Sequence, residues 1–390
     1  MQPVVSFANR SDMTPHLMPR LGAILSLLVA SPLAGQDLGA PIARWDRDFS
    51  RVAGVSELPD GRVVVVDSRD AVVYLAAADG GPSTALGQTG DGPNEYRRPF
   101  GVVRVRADTV LLYAQNRLLR ITPAGAIAGS HPFVPSALGG SVGPPRGADR
   151  EGRIYWERVV IRNPQTGEIK RQPKYEIVRH LPGSSGAEVV ARVQDHAPAR
   201  HAQRFHPFAE RDGWAVDPDG SIRIVRARDY RVVRVGDSGE VEAAVIPFTP
   251  VPVTAADREA LRREKAMNPA GMSFGGRSTT ADGGVTPERM AFMRREFPDD
   301  IFPTHKPPFV DEGVFRSPAG QLWVVRSPQG PALHGDRVDV LDVAGRRIRE
   351  IALPAGRRLV ALDRGGVYLV REDDDGLQYL ERYGWPTGLR

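Results

Sequence analysis

Six times along this chain a strand runs into a tight Gly or Asp turn, and an apolar strand follows. Pro59-Asp60-Gly61 precedes Val63–Asp67, Arg106-Ala107-Asp108 precedes Thr109-Val110-Leu111-Leu112-Tyr113, and Arg150-Glu151-Gly152 precedes Ile154-Tyr155-Trp156. The series continues with Pro218-Asp219-Gly220, Pro318-Ala319-Gly320 and Arg364-Gly365-Gly366, each before a run such as Leu322-Trp323-Val324-Val325. Pro presets the first position of such a turn, Asp bonds its own backbone, and Gly supplies the positive φ that closes the hairpin. The apolar runs do not alternate with polar residues, so both faces of each strand must be covered.

Taken at Gly61, Asp108, Gly152, Gly220, Gly320 and Gly365, the turns lie 47, 44, 68, 100 and 45 residues apart. Three of these intervals match one four-stranded propeller blade, about 40 to 50 residues, and the two long ones must hold insertions. A chain of 390 residues would otherwise suggest two or three domains. Repetition removes that need and predicts an all-β, six-bladed propeller over residues 36–390. A second turn follows in five units, at Gly80, Gly125, Gly183, Gly239 and Gly345, but the chain stops before the sixth can complete its blade. A propeller must close its ring to hide sheet edges. The stretch Pro41 to Phe49 is therefore expected to supply the outer strand of the last blade.

Within the 100-residue interval, residues 255–309 carry the helical signals. Thr254 and Asp257 have capping-box spacing. Thr286-Pro287-Glu288 offers an N-cap, a Pro at the first helical position and an acid in the first turn. Met290, Met293 and Phe297 fall on one face that must be buried. The insertion is expected to sit over one mouth of the propeller as a partial lid.

Residues 1–35 read as a secretory signal. Arg20 precedes the apolar run Leu21 to Ala30, and small residues near Ala34 and Gly35 offer a cleavage site. The run is shorter than the roughly 20 apolar residues a membrane span needs, so no stable anchor is expected after cleavage. Cysteine is absent, which excludes disulfides, thiolate metal sites and a catalytic thiol. The charge of +5 comes from 52 basic residues scattered among 47 acidic ones, a pattern that argues against nucleic acid as a partner.

Blade one and its exit resemble an NHL-type repeat: Val63 to Asp67, Asp79-Gly80, then Gly87-Gln88-Thr89-Gly90-Asp91-Gly92-Pro93-Asn94-Glu95-Tyr96-Arg97-Arg98-Pro99. With Pro247-Phe248 and Pro307-Pro308-Phe309, the chain resembles exported bacterial six-bladed propellers related to NHL and TolB-like proteins. That resemblance implies a propeller without assigned catalytic residues. The Gly-rich segment lacks the Lys-Ser/Thr of a phosphate loop, so its glycines are read as a sharp turn from the rim of blade one to the inner strand of blade two.

No catalytic constellation emerges. Gly139-Gly140-Ser141-Val142-Gly143 matches a nucleophile elbow by letters, yet runs into Pro144-Pro145 rather than a helix. His196, His201, His206 and His305 could meet at a channel metal only if the fold gathers them. Asp373-Asp374-Asp375-Gly376 reads as a hairpin turn, so no cofactor is assigned and neither calcium nor zinc has a ligand set. Basic residues do recur where blades begin: Arg97, Arg98, His206, His305, Lys306, Arg357 and Arg358. They predict a positive ring at the channel mouth that meets an anionic ligand. The expected function is that of a monomeric exported binding module for a protein, peptide, glycan or small anion; a channel-sited hydrolase or lyase, with or without a metal, is the alternative.

Overall fold

The computed structural model describes residues 36–390, apart from 107, 116, 134–140, 163–168, 185, 197–206, 268–284, 374 and 390. The signal reading of residues 1–35, together with His201 and His206, lies outside the described residues. Among the described residues no helix is long and apolar enough to cross a membrane.

Six antiparallel sheets form the ring. Blade one is Val52–Glu57, Val63–Asp67, Val72–Ala76 and Ser83–Ala85. Blade two is Pro99–Arg106, Thr109–Ala114, Arg117–Ile121 and Ile127–Pro132. Blade three has a short inner edge, Ser141–Val142 and Gly147–Ala148, against the long strands Ile154–Arg162 and Ile169–His180, with Glu188–Val193 outside. Blade four is Gly213–Val216, Ile222–Arg226, Arg231–Gly236 and Gly239–Glu242. Blade five is Phe309–Arg316, Leu322–Arg326, Arg337–Leu341 and Arg347–Ala352. Inner strands touch their neighbours all the way round, and that of blade six, Arg357–Asp363, lies against that of blade one.

Closure follows the sequence expectation. Pro41–Phe49 pairs antiparallel with Gln378–Tyr383, placing Arg44 opposite Glu381 and Asp48 opposite Tyr379. Its Trp45 and Phe49 are buried between blades six and one. The chain start contributes one strand more than expected: Gln36–Asp37 adds in parallel to Ile351–Ala352 as a fifth strand of blade five. Leu38 then enters the core shared by blades five and six, so one segment straps both.

The predicted hairpin turns fall where expected. Gly61, Gly152, Gly220 and Gly320 all have φ between 83 and 90°. Gly80 adds a steric reason to its φ of 91°, because a Cβ there would lie 2.3 Å from the Arg44 carbonyl oxygen. The second strand of each blade is sandwiched, as in Val63–Asp67, where every residue is buried. Polar pins cross the blade interfaces. The Tyr368 hydroxyl donates to Glu57 (3.0 Å), Tyr230 to Asp339 (2.6 Å), the Trp214 indole to Glu157 (3.0 Å), and the Val73 amide donates to the Tyr96 hydroxyl (2.8 Å). Each satisfies a buried polar group that would otherwise cost about 1 to 3 kcal/mol.

Between blades four and five lie helix α1, Ala255–Met267, and helix α2, Pro287–Glu296. The capping box forms in both directions: the Thr254 amide donates to Asp257 Oδ2 (2.8 Å) and the Asp257 amide to Thr254 Oγ1 (3.2 Å). Met290, Met293 and Phe297 bury together with Leu261 and Ile301, and this small core rests on Phe208 and Leu333 of the ring.

Candidate functional site

The inner strands surround a channel whose cavity measures about 2350 Å3. All six run in the same sense, so the residues that open them share one end, termed here the near mouth. Helix α1 of the insertion contributes Leu261, Glu264 and Lys265 to the lining of this cavity.

The near mouth divides the sequence-predicted basic residues. Arg98 and Arg358 line the cavity. Arg97 turns away and closes a two-pronged ion pair with Asp91 (2.9 and 2.8 Å). Arg357 lies on the opposite face of its strand from Arg358 and binds Glu381 at 3.1 Å. Strand geometry explains the second division, since successive side chains leave opposite faces; Arg97 and Arg98 instead lie in the bend before Pro99–Arg106, where Arg98 takes a positive φ of 46°.

Lys306 is also not at the mouth. It is buried, with Nζ 2.7 Å from Asp257 Oδ1 and donating to the carbonyls of Pro328 (2.9 Å) and Gly330 (2.7 Å). All its donors are engaged in fastening α1 to blade five, so the sequence reading of Lys306 as a ligand contact is corrected. His305 is exposed on the two-stranded ribbon that Val251–Pro252 makes with His305–Lys306, and it does not line the cavity. His206 is outside the described residues.

Sequence reasoning missed Arg51, Arg146 and Arg211, each of which immediately or nearly precedes an inner strand and lines the cavity. Counting back one strand length from each hairpin turn would have found them. The Pro-Phe pairs were a poorer guide, because they do not hold one position: Phe100 and Phe208 line the cavity, whereas Phe309 is core.

These guanidiniums are not equivalent. Arg211 is neutralised by Glu157 and by Asp311 (3.2 Å), and it lies over the Tyr175 ring at 4.6 Å. Arg51, Arg98, Arg146 and Arg358 form no ion pair among the described residues. Arg98 and Arg51 are exposed, but Arg146 and Arg358 are half-buried within the channel. Arg146 lies over the Trp214 ring at 5.2 Å, a cation–π contact that holds the cation without cancelling its charge. Desolvation pulls the pKa of Arg146 and of Arg358 below the ordinary value; Glu312 works against that pull at Arg146, and Glu372, then more weakly Glu312, at Arg358. His334 stands in the same mouth, reachable by water yet hemmed in by protein; desolvation, then the charge of Arg358, lowers its pKa to about 4 and keeps the imidazole neutral.

Backbone strain gathers at this end. Among the described residues five non-glycines have positive φ, and three of them, Arg98 (46°), Phe208 (54°) and Glu312 (57°), line the cavity. The other two, Ala71 and Tyr230, occupy equivalent turns between the second and third strands of blades one and four. Each such residue costs about 1 to 3 kcal/mol and persists only where its surroundings impose it. At Glu312 the strain accompanies a register shift between Phe309 and Val314 that bulges Asp311 and Glu312 into the channel.

Other sequence motifs resolve as structure. Glu95 closes the Gly-rich loop from within by accepting the Gly92 amide (2.8 Å), and a Cβ on Gly90 would meet its carboxylate at 1.9 Å. The loop thus carries its own anion and connects blades one and two, as read. Ser141 belongs to a strand pair with Val159, not to a strand-to-helix elbow. Asp373 closes the final hairpin by accepting the amides of Asp375 (3.1 Å) and Leu377 (2.9 Å). Among the described residues, no group of three or more His, Asp or Glu is placed to hold a metal ion.

No family model and no curated protein matches this chain. Similar solved structures include regucalcin, a calcium-binding protein from Agrobacterium tumefaciens, at 13% identity over 90% of this chain and 96% of that one, TM-score 0.40. A gluconolactonase from Xanthomonas campestris matches at 13% identity over 87% and 91%, TM-score 0.44. Virginiamycin B lyase from Staphylococcus aureus matches at 12% identity over 85% and 95%, TM-score 0.41.

Proposed function

We propose that this protein is an exported, non-enzymatic binding propeller that takes the anionic group of its ligand at the near mouth of the channel. The observation that carries the reading is the pair Arg146 and Arg358, half-buried in the cavity without an ion-pair partner. Holding an unpaired charge away from bulk water costs stability, and an arriving anion recovers that cost as binding energy. The strained Arg98 and Glu312 at the same mouth support the assignment, since strain of this kind is stored where geometry serves a ligand. Export is inferred from Arg20 and the apolar run after it.

The test is a thermal-shift titration at fixed ionic strength with acetate, succinate, sulfate and inorganic phosphate. A saturable rise in melting temperature with at least one of them, lost in the Arg146→Ala, Arg358→Ala double variant, is expected. A flat response to all four, or an equal rise in the double variant, overturns the proposal.

A further inference from the structure

The near mouth is not simply positive. Glu312, Glu372 and the hairpin acids Asp373 and Asp375 line the same cavity as the free arginines. Most of these acids have work to do: Glu372 accepts from the Gln378 side chain (3.0 Å), Asp373 closes its turn, and Asp311 is held by Arg211. Glu312 is different. Like Asp375 it is exposed and accepts no side-chain hydrogen bond among the described residues, but it alone is set into the channel by an unfavourable backbone conformation (φ 57°). A bulge that costs energy and delivers one unengaged carboxylate opposes the recruitment of a polyanion, because every added negative charge meets it.

We infer that the ligand is a small zwitterion, an amino acid or a peptide end, whose carboxylate is held by Arg146 and Arg358 and whose ammonium is held by Glu312. The two halves of the site match the two halves of such a molecule. A planar guanidinium grips a carboxylate through paired N–H donors, and a carboxylate with free lone pairs accepts from an ammonium.

This inference rests on the anionic reading above, and its test separates the two. Calorimetric titration of the purified protein compares ω-amino acids from glycine to 6-aminohexanoate with their N-acetyl derivatives. At least one free amino acid is expected to bind about tenfold tighter than its N-acetyl form, the worth of one charge-assisted contact. Glu312→Gln is expected to abolish that preference while carboxylate binding persists. Equal affinity for free and acetylated forms, or a preference that survives Glu312→Gln, overturns the zwitterion and leaves the anionic reading standing. Absence of binding by every carboxylate in both series overturns both.

Discussion

The two ends of the channel carry the same residue type in opposite states. At the far end the partly or wholly buried arginines are all engaged: Arg104 with Asp363 (3.0 Å), Arg153 with Asp149 (2.6 Å), and Arg223 and Arg316 with Asp217 (2.7 and 2.9 Å). The rest of the far-end arginines, Arg106, Arg150 and Arg364, are exposed to water. At the near mouth Arg146 and Arg358 are half-buried and form no ion pair among the described residues. Guanidiniums paired across blades lock the ring, as Arg104 does from blade two to Asp363 of blade six. Guanidiniums left unpaired in a cavity cost stability, which makes them the better guide to a binding site.

The largest effect expected from this contrast comes from cutting the far-end cluster. Asp217→Ala leaves Arg223, only 1% exposed, and Arg316 facing each other without a counter-ion. A loss of about 3 to 5 kcal/mol in urea unfolding is expected, because removing one partner strands a buried charge. A loss below about 1 kcal/mol would show that the far end is no more structural than the near one.

The near mouth should respond with the other sign. Arg358→Met removes an unpaired charge and keeps the apolar stem, so stability should hold or rise by about 1 kcal/mol in the same experiment. Clear destabilisation would mean that Arg358 is already neutralised in the free protein, and the comparison between ends would collapse.

The smallest effect is a pH dependence. His334 titrates at about 4 in the folded protein against an ordinary value of 6.5, so the unfolded chain takes up this proton first. Its contribution to stability is therefore fully present above 6.5 and is lost as pH falls towards 4. Water reaches the side chain, which keeps the effect small. Melting temperatures across this range should fall less steeply in His334→Gln, and parallel curves would remove His334 from the account.

Much of the fold was readable because turns and sandwiched strands are local. Gly61 and Gly220 announce hairpins through their own backbone needs, and Val63 to Val66 announce burial on both faces within five residues. The closing strand was legible by a different logic: a sixth blade lacking one strand must find it at the other terminus. The candidate site was only half legible. Arg98 and Arg358 were found, but Arg97, Arg357 and Lys306 came with them, because adjacent basic residues look alike until strand faces and buried partners separate them. Arg146 escaped because no Pro-Phe pair marks it, and Glu312 because nothing in Val310-Asp311-Glu312-Gly313 declares a bulge.

What the amino-acid order determined by itself was the number of blades, the hairpins within them, the capping of the insertion and the need to close the ring, since each depends on residues near one another in the chain or on counting strands. Only the tertiary structure decided which arginines face a counter-ion. The ring brings Glu57 to Tyr368, Arg104 to Asp363 and Arg211 to Asp311 across hundreds or scores of residues. Charge neutralisation depends on distance in space, and in a closed ring that distance is set by neighbouring blades rather than by neighbours in sequence.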